Sequence, residues 1–408
     1  MTVIFNDTLG VYGGSQSLML RMSKWLKSKQ IDVCIICDSA TNIEVVSELK
    51  KNNVRIEVCR PDDFKFIGHV LKEYKERIVI NFGFVRYLNI ECIKKKYKLR
   101  FDNIIYDIIP ATFLVGTGFK NNLLRKHIKR KYLKTLLRMV DNNSVISQEE
   151  TNNRSVCSHF GIDEKKYNPK LLRIPMDCKR LENCESIIKE GYKSKIIMTA
   201  ARADFPFKGY MIGLIDEFKK IKEKDDGLIL QIFSAGGDIE ELKDKIRSVP
   251  DIIRKDIVLN GWITYSDLYN ELKKCKIYIG LGSSLMDACL NYKPTIVVSY
   301  DTRKCVTAGT FDENPFCIGT KGEDYFPAGE IIEKIIQLDY EKYKNLCFNS
   351  FEAVNKNYNI DSIMTDLLNT KTKNSSCILT FSERLEHNMN NLRNKLRSKK
   401  NNKNAYHP

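Results

Sequence analysis

The sequence predicts an α/β chain of two domains, each a parallel sheet with helices on both faces. Three observations carry this. The chain has 408 residues, enough for two or three domains at roughly 150 residues each. Short β-branched runs alternate with amphipathic stretches of about ten to fifteen residues, the pattern of a parallel sheet with crossover helices. The alternation lapses after Asp177 and restarts near Lys195.

In the first half, Val3 to Asn6 reads as a strand. It runs into Gly13 and Gly14, then a helix from Ser17 to Lys27 with Leu18, Leu20, Met22 and Leu26 apolar. The strand IDVCIIC, the helix NIEVVSELKKNN and the strands VRIEVC, RIVINFG, NIIYDIIP and NSVISQ follow. Residues 178–194 are polar and poorly periodic and read as a linker. The second half runs KIIMTAAR, a helix, LILQIFSAG, a helix, DIVLNGW, a helix, KIYIGLG, a helix opening near Ser283, and PTIVVS. The expected division is residues 1–177, 195–350, a helix over 351–370 returning to the first domain, and a basic tail over 371–408. Open α/β sheets bind ligands at the carboxyl ends of their strands. Two such Rossmann-like domains therefore face a central cleft, and the loops that follow strands are the ones to inspect.

Composition narrows the function. Hydrophobic residues make up 43% and charged residues 29%, which is globular. No apolar run approaches the roughly 20 residues of a membrane span, and MTVIFNDTLG lacks the pattern of a signal peptide. The thirteen cysteines are scattered. Cys34 and Cys37 have CxxC spacing but lie in a strand, where residues three apart point to opposite faces; packing in a reducing cytosol is the expectation. His69, His127, His159, His387 and His407 show no ligand spacing, and no D-x-D triplet occurs, so no metal is expected. The net charge of 67 − 51 = +16 implies an anionic partner: nucleic acid, an acidic lipid surface or a phosphorylated substrate. No RRM, KH or zinc-finger signature supports nucleic acid.

Two segments carry much of the charge. Leu124, Ile128, Tyr132, Leu136 and Val140 form an apolar stripe beside Lys126, Lys129, Arg130, Lys134 and Arg138. In the tail, Leu385, Met389, Leu392 and Leu396 share one face among Arg393, Lys395, Arg397, Lys399 and Lys400. Both patterns suit a peripheral site on an anionic membrane; a buried first stripe and a disordered tail are the competing reading.

Three loops are suited to a ligand. In VYGGSQS, adjacent glycines permit φ > 0 and a helix N-terminus offers N–H groups to an anion; a plain tight turn fits equally. In AARADFPFKGY, Arg202 and Lys208 follow a strand and precede a helix, a pair suited to a diphosphate. In YIGLGSSLMDACLNYKP, Gly282 precedes Ser283 and Ser284, either of which would cap the helix, and Asp287 lies one turn inside it.

In order and spacing these segments resemble the retaining glycosyltransferases of the GT-B fold, family 4. The matches are Arg202 through Lys208–Gly209, Gly236–Gly237, Val258-Leu259-Asn260-Gly261-Trp262, Leu268 to Cys275, and Asp287-Ala288 leading to Lys293-Pro294. The likeness spans roughly Val3 to Ile360. It implies that Arg202 and Lys208 hold the donor diphosphate and stabilise the leaving charge, and that Asp287 takes the ribose. Gly14, Gly236, Gly282, Ser283 and Ser284 would lie along the diphosphate or sugar, and Trp262 and Ile263 would border the base. Asp107 would touch the acceptor or donor sugar, a place where a helix or turn cap fits equally. Three departures stand out. Ile279 lies eight residues before Asp287, so the first of the family's two acids is absent; the second is Asp; and Tyr292 replaces the glycine before Lys293-Pro294.

The resulting expectation is a metal-independent transferase without cofactor. It would move a sugar with retention from a nucleotide-diphosphate donor to a glycan or lipid-linked acceptor, in surface polysaccharide biosynthesis such as O-antigen or capsule. It would work in the cytoplasm, at the inner face of the membrane. The alternative is an inactive GT-B-like scaffold of the same pathway.

Overall fold

The structure is a computed structural model that describes residues 1–10, 13–106, 122–321 and 325–404, without the side chains of 122–128 and 393–404. The chain divides into two compact units. One comprises Met1–Pro175 and Ile360–Pro408, the other Met176–Asn359.

The first unit begins β1 (Thr2–Asn6), α1 (Gly14–Ser28), β2 (Asp32–Cys37), α2 (Ile43–Lys51), β3 (Arg55–Val58), α3 (Phe64–Glu73), β4 (Arg77–Asn81) and α4 (Phe84–Tyr97). It continues β5 (Asp102–Tyr106), α5 (Asn122–Asp141), β6 (Val145–Ser147), α6 (Glu150–Phe160) and β7 (Lys170–Leu171). Its sheet runs β3-β2-β1-β4-β5-β6-β7, and each neighbouring pair is parallel. Side chains alternate across it. Val3, Phe5, Ile35 and Cys37 pack with Leu18, Met22 and Leu49 on one face. Ile4, Cys34, Ile36 and Val79 pack with Leu71, Ile90 and Ile93 on the other. Cys34 and Cys37 thus sit in separate cores, as the strand period predicts.

A polar thread crosses this sheet. Asn6 donates to Asn81 at 2.8 Å, Asn81 to Asn103 at 2.8 Å, and Asn103 to Glu91 Oε1 at 2.8 Å. Glu91 is fully buried; it also accepts from Lys94 at 2.9 Å and from the Ile378 N–H at 2.8 Å. A buried carboxylate is tolerated only with such partners.

The second unit runs α7 (Cys184–Lys193), β8 (Ile196–Ala200), α8 (Tyr210–Lys222), β9 (Ile229–Phe233), α9 (Ile239–Arg247), α10 (Asp251–Arg254), β10 (Ile257–Asn260) and α11 (Tyr265–Lys274). Then come β11 (Ile277–Gly280), α12 (Ser283–Leu290), β12 (Thr295–Tyr300), β13 (Val306–Thr310), β14 (Thr320–Lys321), β15 (Phe326–Pro327), α13 (Ala328–Ile336) and α14 (Tyr340–Tyr358). The sheet order is β10-β9-β8-β11-β12-β13-β15, with β14 beside β12.

Sequence reading and structure differ at several points. β13 is antiparallel to β12, and β15 to β13. The segment read as a linker contains α7, which buries Ile187 and Ile188; two apolar residues among polar ones leave little periodicity to detect. The helix expected over 351–370 is divided. Its first part ends α14 in the second unit, and α15 (Ile360–Leu368) returns to bury Ile363, Met364 and Leu367 in the first core.

The tail is not loose: α16 (Phe381–Asn404) follows. In α5, Leu136 is fully buried and Tyr132 meets Phe84 edge-on at 5.3 Å. The described part of that apolar stripe is therefore core, as the competing reading had it. No helix among the described residues is long and apolar enough to cross a membrane.

Candidate functional site

In the second unit β8 and β11 are sheet neighbours, so the loops leaving their carboxyl ends share one edge. The β8 loop is stitched to the β9 loop: Ala203 N–H donates to Ala235 O at 2.8 Å, Asp238 N–H to Ala203 O at 3.0 Å, and Phe205 N–H to the Asp238 carboxylate at 2.7 Å. Gly236 makes this approach feasible. Its φ is +135°, and a Cβ there would lie 2.9 Å from Ala203 O. The structure thus gives Gly236 a positioning role beneath Arg202.

Arg202 is half-exposed and pairs with Asp204 at 3.0 Å. Lys208 N–H donates to Asp204 O at 2.7 Å, closing the turn before α8. Its side chain is partly exposed, and its ammonium lies 5.1 Å from the Phe207 ring centroid. Burial, then the Arg202 charge, push its pKa down to about 7, against the opposing pull of Asp204. A lysine so depressed carries a cation that lacks full compensation.

α12 begins at this edge. Ser284 Oγ donates to Ala200 O at 3.4 Å and Tyr278 Oη to the same oxygen at 3.2 Å, holding the helix start to the base of the Arg202 loop. Two sequence expectations are corrected. The N-cap is Gly282, φ +76°, and no side chain caps the helix; Ser283 and Ser284 are its first two residues. The Gly282 N–H donates to Ile318 O at 2.7 Å, so the N–H groups a helix start leaves for an anion begin at Ser283.

Asp287 is 4% exposed and accepts from Tyr265 Oη at 2.9 Å. Tyr265 opens α11, whose N-cap Thr264 accepts from Asp267 N–H. The β10 loop and α12 therefore meet at Asp287. Sequence reasoning missed Tyr265; its one signal was a phenol two residues beyond the expected base-bordering pair. Trp262 is 48% exposed. Ile263 lines a cavity of about 470 Å³ with Gln231, Phe233, Asn260, Asp267, Asn270, Glu271 and Lys274. Arg202, Lys208 and Asp287 are not on its wall, so the cavity and the cationic edge are separate features.

The departures from the family pattern acquire physical context. Ile279 is fully buried inside β11. Tyr292 sits at φ +54°, a conformation that favours glycine. Its ring stacks on Phe351, 4.6 Å between centroids. Lys293 is fully buried, donating to Lys273 O at 2.8 Å and Ile187 O at 3.2 Å, and is structural.

In the first unit, Gly13 is extended (φ −162°, ψ −173°) and caps α1, which starts at Gly14. Neither glycine has a positive φ, so the freedom the pair permits is not used, and a Cβ on Gly14 would meet nothing within 4 Å. Asp107 lies outside the described residues.

A cluster that sequence reading missed occupies the carboxyl edge of β1 and β2. Arg86 pairs with Asp38 at 2.9 Å and approaches Asp7 at 3.8 Å. Burial raises the Asp7 pKa, opposed by Arg86. Among the described residues no group of three or more His, Cys, Asp or Glu side chains is placed to hold a metal.

No family model matches the sequence, and no curated protein matches it. Solved structures do. A Rickettsia africae glycosyltransferase is 16% identical, covering 90% of this chain and 97% of its own, with a TM-score of 0.64. Anabaena HepE, solved with UDP and glucose, is 13% identical, covering 91% and 99%, with a TM-score of 0.63. WaaG, a glycosyltransferase involved in lipopolysaccharide biosynthesis, is 13% identical, covering 90% and 99%, with a TM-score of 0.55. At these identities the likeness is one of architecture: the chain has the two-unit α/β fold of the GT-B glycosyltransferases.

Proposed function

We propose that the protein transfers a sugar, with retention, from a nucleotide-diphosphate donor to a glycan or lipid-linked acceptor. The observation that carries this is the cationic edge of the second unit, where Arg202 and the depressed Lys208 stand beside the start of α12. A diphosphate seated there would receive two cations and the N–H groups from Ser283 onward. Both cations would gain strength as charge develops on the leaving phosphate, stabilising the transition state more than the ground state. Asp287 would accept from the ribose hydroxyls, Trp262 and Ile263 would border the base, and Asp107 would serve the sugar or acceptor side. The cations replace a metal in this reading, and no cofactor is used.

The likeness to WaaG, a glycosyltransferase involved in lipopolysaccharide biosynthesis, motivates the finer reading: a role in surface polysaccharide assembly, in the cytoplasm at the inner face of the membrane. The test is a thermal-shift screen of UDP-, GDP- and dTDP-sugars, followed by a transfer assay with Arg202→Ala. A rise in Tm with one base, and turnover lowered on the order of a hundredfold in the variant, are expected. Stabilisation by donor without transfer or hydrolysis would indicate the scaffold alternative. No response to any nucleotide sugar would refute the proposal.

A further inference from the structure

The two faces of α16 differ in kind. One is anchored to the first unit by polar contacts. Glu383 accepts from Arg138 at 2.6 and 2.9 Å and from Thr135 at 2.7 Å. Glu386 pairs with Lys131 at 2.6 Å. His387 is buried, with Nε2 2.7 Å from Asn89 Oδ1, which also accepts from Asn391 at 2.9 Å. The other face is apolar and uncovered: Phe381, Leu385, Met389 and Leu392 are 73%, 51%, 46% and 58% exposed. At about 100° per residue these four positions fall within roughly 80° of arc. No other helix among the described residues carries more than one exposed large apolar side chain. A clustered stripe of this kind marks an interaction surface, whereas single exposed hydrophobes do not.

The sequence says what the stripe meets. Beyond Glu386 the sequence of α16 holds no acidic residue and six Lys and Arg: Arg393, Lys395, Arg397, Lys399, Lys400 and Lys403. Basic residues bordering an apolar stripe repel a second copy of the same face and attract an anionic one, and their long stems let the charges reach headgroups while the stripe enters the acyl boundary. Residues 129–141 of α5 offer no such surface: they carry no exposed large apolar side chain, and Lys131 and Arg138 are occupied by Glu386 and Glu383.

We propose that the outer face of α16 seats the protein on an anionic phospholipid surface, with Phe381, Leu385, Met389 and Leu392 inserting and the Arg and Lys residues of the same helix binding lipid phosphates. This rests on the reading that the protein works at a membrane and assigns the surface it uses.

The test is flotation of the full chain with vesicles of phosphatidylcholine containing about 30% phosphatidylglycerol, against pure phosphatidylcholine. The wild type is compared with Leu385→Ser/Leu392→Ser, whose changes are at exposed positions and whose Tm should match the wild type. Expected are binding to the anionic vesicles only, weakening with salt, and a loss on the order of a hundredfold in the double variant. Undiminished binding of the variant would overturn the assignment to α16 while leaving a membrane role standing. No binding of the wild type would remove both. A wild-type dimer that the double substitution dissociates, without vesicle binding, would assign the face to a second copy instead.

Discussion

Lys208 makes the proposed donor site a proton-coupled one. With its pKa near 7, the side chain is about one-tenth protonated at pH ~8 in the unliganded protein. A bound diphosphate supplies opposite charge at this edge and raises that pKa. UDP is the appropriate probe, since its terminal phosphate, titrating near ~6, is ionised by pH ~8. Binding there should take up ~0.9 proton per UDP. Affinity should fall about tenfold per pH unit above ~7.5, until the pKa of the bound state is passed. Calorimetry in buffers of differing ionisation enthalpy reads the uptake directly. Lys208→Met should abolish it and weaken binding at pH ~6 by about 1.5–3 kcal/mol, the scale of a charge-assisted contact.

The same substitution should stabilise the unliganded protein. Desolvation of the ammonium costs folding free energy in full below pH ~7, and the cost fades as pH rises toward the ordinary lysine value of 10.5. Proton uptake equal in wild type and Lys208→Met, or a flat affinity profile in the wild type, would refute the reasoning.

Asp287→Asn should weaken UDP binding itself by about 1.5–3 kcal/mol, read by the same calorimetry; unchanged UDP affinity would leave Asp287 a structural group that holds Tyr265. Gly236→Ala places a Cβ 2.9 Å from Ala203 O at φ +135°; it should cost about 1–3 kcal/mol of stability and, by displacing the Arg202 loop, UDP affinity as well. Acid should release α16 first. Burial lowers the His387 pKa to about 4; for Glu383, burial works upward but Arg138, Thr135 and Thr380 hold the pKa at about 2. Docking stability is therefore present above the ordinary values of 6.5 and 4.5 and lost as pH falls through these windows; proteolysis within 381–404 should accelerate below pH ~5 while the sheets remain protected.

The parallel strands through β12 were largely legible because they are short continuous runs of residues suited to a strand buried on both faces, Val3 to Phe5 and Ile197 to Thr199 among them. Arg202 and Lys208 were legible because a basic pair between strand and helix is a local pattern. What escaped depends on distant partners. The Arg86 cluster joins three separate strand ends, and the Gly282 N–H is occupied by Ile318, far along the chain. The docking of α16 joins ion pairs to Lys131 and Arg138 with hydrogen bonds to Asn89, partners 245 to 302 positions earlier, which no window of sequence contains.

The first unit is discontinuous, and that orders its synthesis. Its core lacks Ile363, Met364 and Leu367, and Glu91 lacks the Ile378 N–H, until the whole second unit has been made. At ribosomal rates of ~5–20 residues per second, the stretch from Pro175 to Ile378 occupies about 10–40 s. Through that interval the parallel sheet of the first unit waits at the ribosome with an open apolar face, while the second unit, contiguous in sequence, is free to fold. Released chains that end at Asn359 should therefore protect the second unit from protease and engage chaperones through the first.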